Sequence, residues 1–116
     1  MVEYTLVHIG INANNAEEAK GIAEIFQRIF GLKVKSGRSS VFAGDFIEVM
    51  KEPYMGKNGH IAIGVSDMEA AMEELEHKGC IFDMETKKFR EDGTLNVIYL
   101  KDEIGGFAVH LINNRV

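Results

Sequence analysis

An internal disulfide is closed to this chain. Its 116 residues include one cysteine, Cys80, so no internal bridge can form, and a lone thiol suits a reducing compartment. There is no CxxC pair to suggest redox work, and the default for Cys80 is a half-buried structural thiol. Proline is as scarce: Pro53 stands alone, and no low-complexity linker divides the chain. No apolar run approaches the roughly 20 residues that span a membrane. The N-terminal MVEYTLVHIG has neither a basic n-region nor a cleavable apolar segment, so a cytoplasmic protein without membrane attachment is expected. A surplus of positive charge is missing too. Thirteen basic and eighteen acidic residues leave a net charge of -5, which disfavours a nucleic-acid partner. What remains is an ordinary globular composition, 46% hydrophobic and 27% charged, long enough for one domain with one packed core.

What the chain does contain is an internal repeat. His8-Ile9-Gly10-Ile11 leads through Asn15 into a helix-like run, and His60-Ile61-Ala62-Ile63 leads through Asp67 into another. Glu17 and Glu69, and Ala19 and Ala71, recur at the same offset. The copies, about 1–56 and 57–116, are each too short to bury a core alone, so they are expected to be halves of one fold.

Residues 4–12 alternate, with Val7, Ile9 and Ile11 on one face and Leu6, His8, Gly10 and Asn12 on the other, which predicts a strand. Asn15 with Glu18 three residues on reads as a helix N-cap with its capping-box partner. Ala19, Ile22, Ala23, Phe26, Ile29 and Phe30 follow helical spacing, and Gly31 supplies the stop. Short strands are expected at 33–36, 40–43 and 46–51. The second copy repeats the order. A strand at 59–65 turns His60, Ala62 and Gly64 to one face, and a helix capped by Ser66 or Asp67 buries Met68, Ala71, Met72 and Leu75 and ends at Gly79. Strands follow near 80–83, 95–100 and 107–113, and the charged stretch ETKKFREDG at 85–93 reads as a solvated loop or hairpin tip. The fold class is therefore α+β. Paired β-α-β-β-β modules give eight strands and two main helices, and the helices cover the aliphatic face, leaving the other face concave.

The last strand of each half carries the chemistry. Gly44–Met50 (GDFIEVM) can be laid on Gly106–Ile112 (GFAVHLI), which sets Glu48 on His110, each between two aliphatics. His8, Glu48, His60 and His110 then share one parity and face the concave side. All four are metal-ligand types, and imidazole with carboxylate suits Zn²⁺, Ni²⁺, Fe²⁺, Co²⁺ or Mn²⁺ better than Mg²⁺ or Ca²⁺. Among aromatic and sulfur side chains near the cup (Phe42, Phe46, Met50, Tyr54, Met55, Tyr99), parity favours Phe46 and Met50 on the Glu48 face. Arg38 and Lys101, with Lys51 and Lys57, are candidates for a substrate carboxylate or phosphate. His77 reads as a surface residue near a helix C-terminus.

The segments VHIGIN…AEEAKGIAEIFQRIFGLKV, FIEVMKE, GHIAIGVSDMEAAMEELEHKG and EIGGFAVHL resemble the vicinal oxygen chelate superfamily, which includes glyoxalases, bleomycin-resistance proteins and ring-cleaving dioxygenases. The resemblance covers essentially the whole chain. It implies a divalent metal held by His8, Glu48, His60 and His110, with two neighbouring coordination positions left for adjacent oxygens of a small-molecule substrate. It implies lyase or isomerase chemistry and a homodimer; Glu48, the only carboxylate of the set, is the first candidate for the proton-transferring base. His110 departs from the glyoxalase pattern, which has a glutamate there. SSVFAG, IEVMK, GKNGHIAI and IYLKDEIGGFAVHL are also similar to short bacterial members and to domains linked with 2-keto-3-deoxy-6-phosphogluconate or 4-hydroxy-2-ketoglutarate aldolases. Aldolase activity does not follow, because a chain of 116 residues cannot form a Schiff-base barrel. A non-catalytic module that binds or senses a small molecule is the alternative.

Overall fold

The computed structural model describes residues 2–114. The elements run β1 (Tyr4–Asn12), α1 (Ala16–Phe30), β2 (Val34–Ser36), β3 (Ser40–Ala43), β4 (Ile47–Met50), β5 (Gly59–Val65), α2 (Met68–His77), β6 (Phe82–Phe89), β7 (Leu95–Leu100) and β8 (Phe107–Asn113). This is the expected pair of β-α-β-β-β units. They build one eight-stranded sheet in the order β2-β3-β4-β1-β5-β8-β7-β6. β1 and β5 lie antiparallel at its centre, and each is flanked by the last strand of its own unit in parallel, β4 beside β1 and β8 beside β5. Among the described residues no helix is long and apolar enough to cross a membrane.

The helices start where their caps dictate. The Asn15 side chain accepts the Glu18 N–H at 2.8 Å, satisfying an orphan donor of the first turn, and the Glu18 carboxylate reaches back to the Asn14 N–H ahead of the cap at 3.1 Å. At α2 the cap is Asp67, whose carboxylate accepts the Ala70 N–H at 3.1 Å. α1 seats Ala19 and Ala23 on Val41, Ala43 and Val49, with Ile22 and Phe26 closing the edge. α2 seats Met68 and Ala71 on Val65, Phe82, Ile98 and Leu111. Ile29 and Phe30, expected in the buried stripe, stand 56% and 68% exposed. The reason is length: 15 helical residues reach about 22 Å, whereas the four-residue strands beneath span about 13 Å.

Two ladder irregularities alter the expected faces. Leu6 pairs with Ile63 but His8 pairs with Ala62, so Val7 is an extra residue on β1. Leu6 consequently shares the face of Ile63, not that of His8. Val7 packs where a side chain at residue 64 would stand, and glycine there leaves the room, since a Cβ would lie 2.8 Å from Val7 Cγ2. The second correction concerns 85–93. β6 begins at Phe82 and runs through Phe89, so much of the supposed loop is strand. β6 is the edge of the sheet, and charged side chains are what edge strands use against pairing with another chain.

Candidate metal centre

The ladder register arranges the concave face in two rows. One row reads Phe42, Glu48, Gly10, His60, Ala108 across β3, β4, β1, β5 and β8. The next reads His8, Ala62, His110, Tyr99 across β1, β5, β8 and β7. Large donor side chains thus alternate with glycine or alanine, and the small residues leave room for the imidazoles to lean together. Gly10 shows the constraint most clearly. A Cβ built on it would overlap the His60 ring, approaching Nε2 to 2.6 Å. The imidazole occupies the space that a side chain at residue 10 would need.

His8, Glu48 and His60 meet at their tips. His8 Nε2 lies 3.1 Å from His60 Nε2, His60 Nε2 lies 3.1 Å from Glu48 Oε1, and His8 Nε2 lies 3.3 Å from Glu48 Oε1. Donor atoms bound to one ion at about 2.0–2.1 Å stand about 3–3.4 Å apart, so this triangle has the spacing of three ligands of a common ion. His110 lies beside them, its ring centroid 5.7 Å from that of His60 and 5.9 Å from that of His8. The three imidazoles each offer a nitrogen within 4.8 Å of the others. Glu48 therefore joins on the His8–His60 side of the cluster. All four residues come from one chain, on the four central strands.

The electrostatics keep the set in ligand-ready form. Burial disfavours the charged imidazole of His8 and lowers its pKa; Glu48 opposes this and His60 adds to it. Burial pushes His110 down to about 4, helped by the charges of His60, His8 and Lys88 and opposed by the Leu111 carbonyl. For Glu48, burial alone would raise the carboxyl. Hydrogen bonds from His60 and Ser40 and the charges of His8 and His60 outweigh it, so the pKa is lowered. The Ser40 hydroxyl donates to Glu48 Oε2 at 2.8 Å and so leaves Oε1 to the histidines. Coordination through His60 Nε2 requires the proton on Nδ1, which is buried without a partner. That orphan costs on the order of 1–3 kcal/mol, an amount that a bound ion would offset.

The remaining sequence candidates divide. Phe42 and Tyr54 stand edge-on to His8 and His60 at 6.1 and 5.9 Å, and Tyr99 packs 4.8 Å from His110, so these three rings wall the cup. Burial, with Tyr54 and Glu48 adding to it, raises the Tyr99 hydroxyl well above the ordinary phenol range. Met50 and Arg38 border a cleft of about 580 Å³ together with Asn15, Lys51 and Tyr54. Phe46 is 60% exposed in the turn before β4. Lys101 is exposed past the end of β7, and its backbone is tied to Ile81 at the outer edge of the sheet. Another cleft of about 620 Å³ lies away from the cluster, between the start of α2 and the β6–β7 hairpin. His77 is exposed in the last turn of α2, and Cys80 is half-buried. Sequence reasoning missed Ser40, which no local pattern marks; only the β3–β4 pairing sets it beside Glu48.

No protein-family model matches the chain, and no curated protein gives a significant match. Solved structures do. A hypothetical protein, BH1468 from Bacillus halodurans C-125, superposes with a TM-score of 0.64 at 19% identity, over 98% of this chain and 96% of that one. A Streptomyces coelicolor methylmalonyl-CoA epimerase variant in complex with 2-nitronate-propionyl-CoA gives 0.62 at 14% identity, over 98% and 100%. The methylmalonyl-CoA epimerase from Mycobacterium tuberculosis gives 0.59 at 15% identity, over 93% and 86%. The chain shares the α+β fold of these proteins across its length.

Proposed function

We propose that this protein is a metal-dependent enzyme of the glyoxalase-like type, an isomerase or lyase acting on a small metabolite that chelates through adjacent oxygens. The carrying observation is the donor triangle of His8 Nε2, His60 Nε2 and Glu48 Oε1, with edges of 3.1 to 3.3 Å and His110 beside it. Four neutral or anionic nitrogen and oxygen donors fit Zn²⁺, Ni²⁺, Fe²⁺, Co²⁺ or Mn²⁺. The fold shared with methylmalonyl-CoA epimerases supports the isomerase reading.

The bound ion would act as a Lewis acid toward the substrate oxygens and stabilise charge developing on them. The chain's own residues do the rest. Burial opposes the charging of His8 and His110, whose pKa values are lowered, so these two imidazoles offer lone pairs rather than protons. Glu48 is the one carboxylate of the cluster. The Ser40 hydroxyl donates to its Oε2 and favours the ionised form, and Glu48 is the group able to accept a proton from a substrate carbon. The rings of Phe42, Tyr54 and Tyr99 wall the cup around the histidines.

A second reading has an observation in its favour. His110 stands where a second carboxylate would give a two-base site, and the single carboxylate is already engaged by Ser40 and two histidines. A binding or sensing module, linked to sugar-acid metabolism, needs no second base. Metal analysis of untagged protein, beside His8→Ala and His60→Ala, tests the first reading: near one equivalent of a transition metal is expected in the wild type and much less in the variants. A metal-free wild type that takes up no added ion would overturn it. Thermal-shift screening with 2-oxo and 2-hydroxy sugar acids separates the two readings, because stabilisation that ignores metal favours the binding module.

A further inference from the structure

Lys88 lies in the charged stretch ETKKFREDG, and strict alternation from Phe82 would turn it toward the helix-covered face. β6 does not alternate strictly. Asp83 pairs with Tyr99 while Lys88 pairs with Val97, so β6 advances five residues where β7 advances two. The Thr86 hydroxyl fills the gap in the ladder, accepting the Tyr99 N–H at 2.9 Å and donating to the Asp83 carbonyl at 2.7 Å. A second shift falls between Lys88 and Phe89. Such irregularities re-aim side chains. Here they set Lys88 on the face of Tyr99 and His110, whereas Lys87 and Phe89 border the separate cleft beside Met68.

From that position the Lys88 ammonium donates to the Tyr54 hydroxyl at 3.2 Å and stands 5.8 Å from the centre of its ring. Its charge is felt at His110. Tyr54 is itself fixed: its N–H donates to the Asn12 side-chain oxygen at 3.2 Å, and the Asn12 amide donates to the Gly56 carbonyl at 3.0 Å. Asn12 continues the His8–Gly10 face of β1, so the loop bearing Tyr54 is clamped to the rim of the cup. Among the described residues no carboxylate lies within ion-pair distance of Lys88. An ammonium has three protons to donate, and Tyr54 takes one. In a chain of net charge -5, a cation without an acidic partner, one ring from the histidine cluster, is equipped to meet an anion brought by the ligand.

We propose that Lys88, with the Tyr54 hydroxyl beside it, binds an anionic group at the distal end of the ligand held by the histidine–glutamate cluster. The ligand is then a small oxygen-rich acid that carries a second carboxylate or a phosphate ester beyond its chelating oxygens. The chelating end rests on the metal-centre reading; the Lys88 end rests on its own geometry.

The test compares glycolate, malate and 3-phosphoglycerate, which share a 2-hydroxycarboxylate and differ in the distal group. Affinities are measured by calorimetry on the full chain, with and without added metal. For the wild type, malate or 3-phosphoglycerate is expected to bind about tenfold more tightly than glycolate, the effect of one charge-assisted contact. Preference between those two identifies carboxylate or phosphate as the distal group. Lys88→Met should erase the advantage with glycolate affinity and metal content unchanged, Lys88→Arg should keep most of it, and added salt should shrink it. Lys87→Met, the same charge change on the opposite face, should leave it intact. Equal loss in Lys87→Met and Lys88→Met, or an advantage that survives Lys88→Met, overturns the proposal. If the wild type binds no metal, the metal-centre reading fails. Lys88 is then judged on 3-phosphoglycerate and malate binding to the metal-free protein: loss in Lys88→Met alone supports it, and no loss overturns it.

Discussion

Replacing Gly10 by alanine adds one methyl group at the place where the sheet has no room for it. The new Cβ would stand 2.6 Å from His60 Nε2 and closer to other ring atoms, and His60 is only 3% exposed. The ring cannot swing into solvent, so either the imidazole tilts or β1 and β5 separate. Overpacking of this kind costs about 1–3 kcal/mol. For a chain of 116 residues that corresponds to about 4–12 °C in Tm. A tilted His60 also leaves the donor triangle, and metal affinity should fall at least about tenfold to a hundredfold. Gly21→Ala is the matched control. Nothing lies within 4 Å of a Cβ there, and the site is inside α1, where alanine is favoured over glycine by about 0.5–1 kcal/mol. The same chemical change should raise Tm by about 2–4 °C at Gly21, with metal binding untouched. Scanning calorimetry and a competitive metal titration read both. A Gly10→Ala protein as stable and as metal-competent as the wild type would refute the seating of His60 on Gly10.

Further outcomes follow from the same geometry. In the metal-free protein, the folded His110 pKa of about 4 lies below its unfolded value of 6.5. The unfolded state therefore binds the extra proton between those values, and stability is full above about pH 6.5 and is lost as pH falls toward 4. The loss from this group approaches about 3 kcal/mol, read by urea denaturation at pH 7.5 and 4.5, and His110→Phe should flatten the slope. Glu48, whose folded pKa is also lowered, adds a loss of the same sign as pH falls below its unfolded range. Ser40→Ala removes the 2.8 Å hydrogen bond to Glu48 Oε2 and should cost about 1–2 kcal/mol while weakening metal binding about tenfold by titration. Asn15→Ala and Asp67→Ala, which delete the two helix caps, should each cost about 1 kcal/mol with metal content unchanged by elemental analysis.

Where local chemistry sets structure, the sequence was legible. Period-2 alternation put His60 and His110 on the concave face, and the ladder agrees. Asn15 and Gly31 bound α1 as a capping side chain and a left-handed stop require. The misreadings fall where a residue's neighbours are distant in sequence. Leu6 changes face because a bulge inserts Val7, and no residue type announces a bulge here. ETKKFREDG looked like a loop because charge marks solvent, but an edge strand is solvated as well. Phe46 shares parity with Glu48 and yet stands in solvent, since parity says nothing about where the sheet ends.

The sequence by itself determined the architecture and which ligand-type side chains share the concave face. Each copy of the repeated pattern buries its aliphatic face under its own helix, in two core clusters, and the parity of His8, Glu48, His60 and His110 follows from the same alternation. Tertiary structure decided which donors touch. The β1–β5 register seats His60 over Gly10 and brings its Nε2 to 3.1 Å from that of His8, and β3 supplies Ser40 to orient Glu48. It also decided that Lys88 belongs to the cup, because face is an accumulated property of a ladder and one inserted residue reverses it.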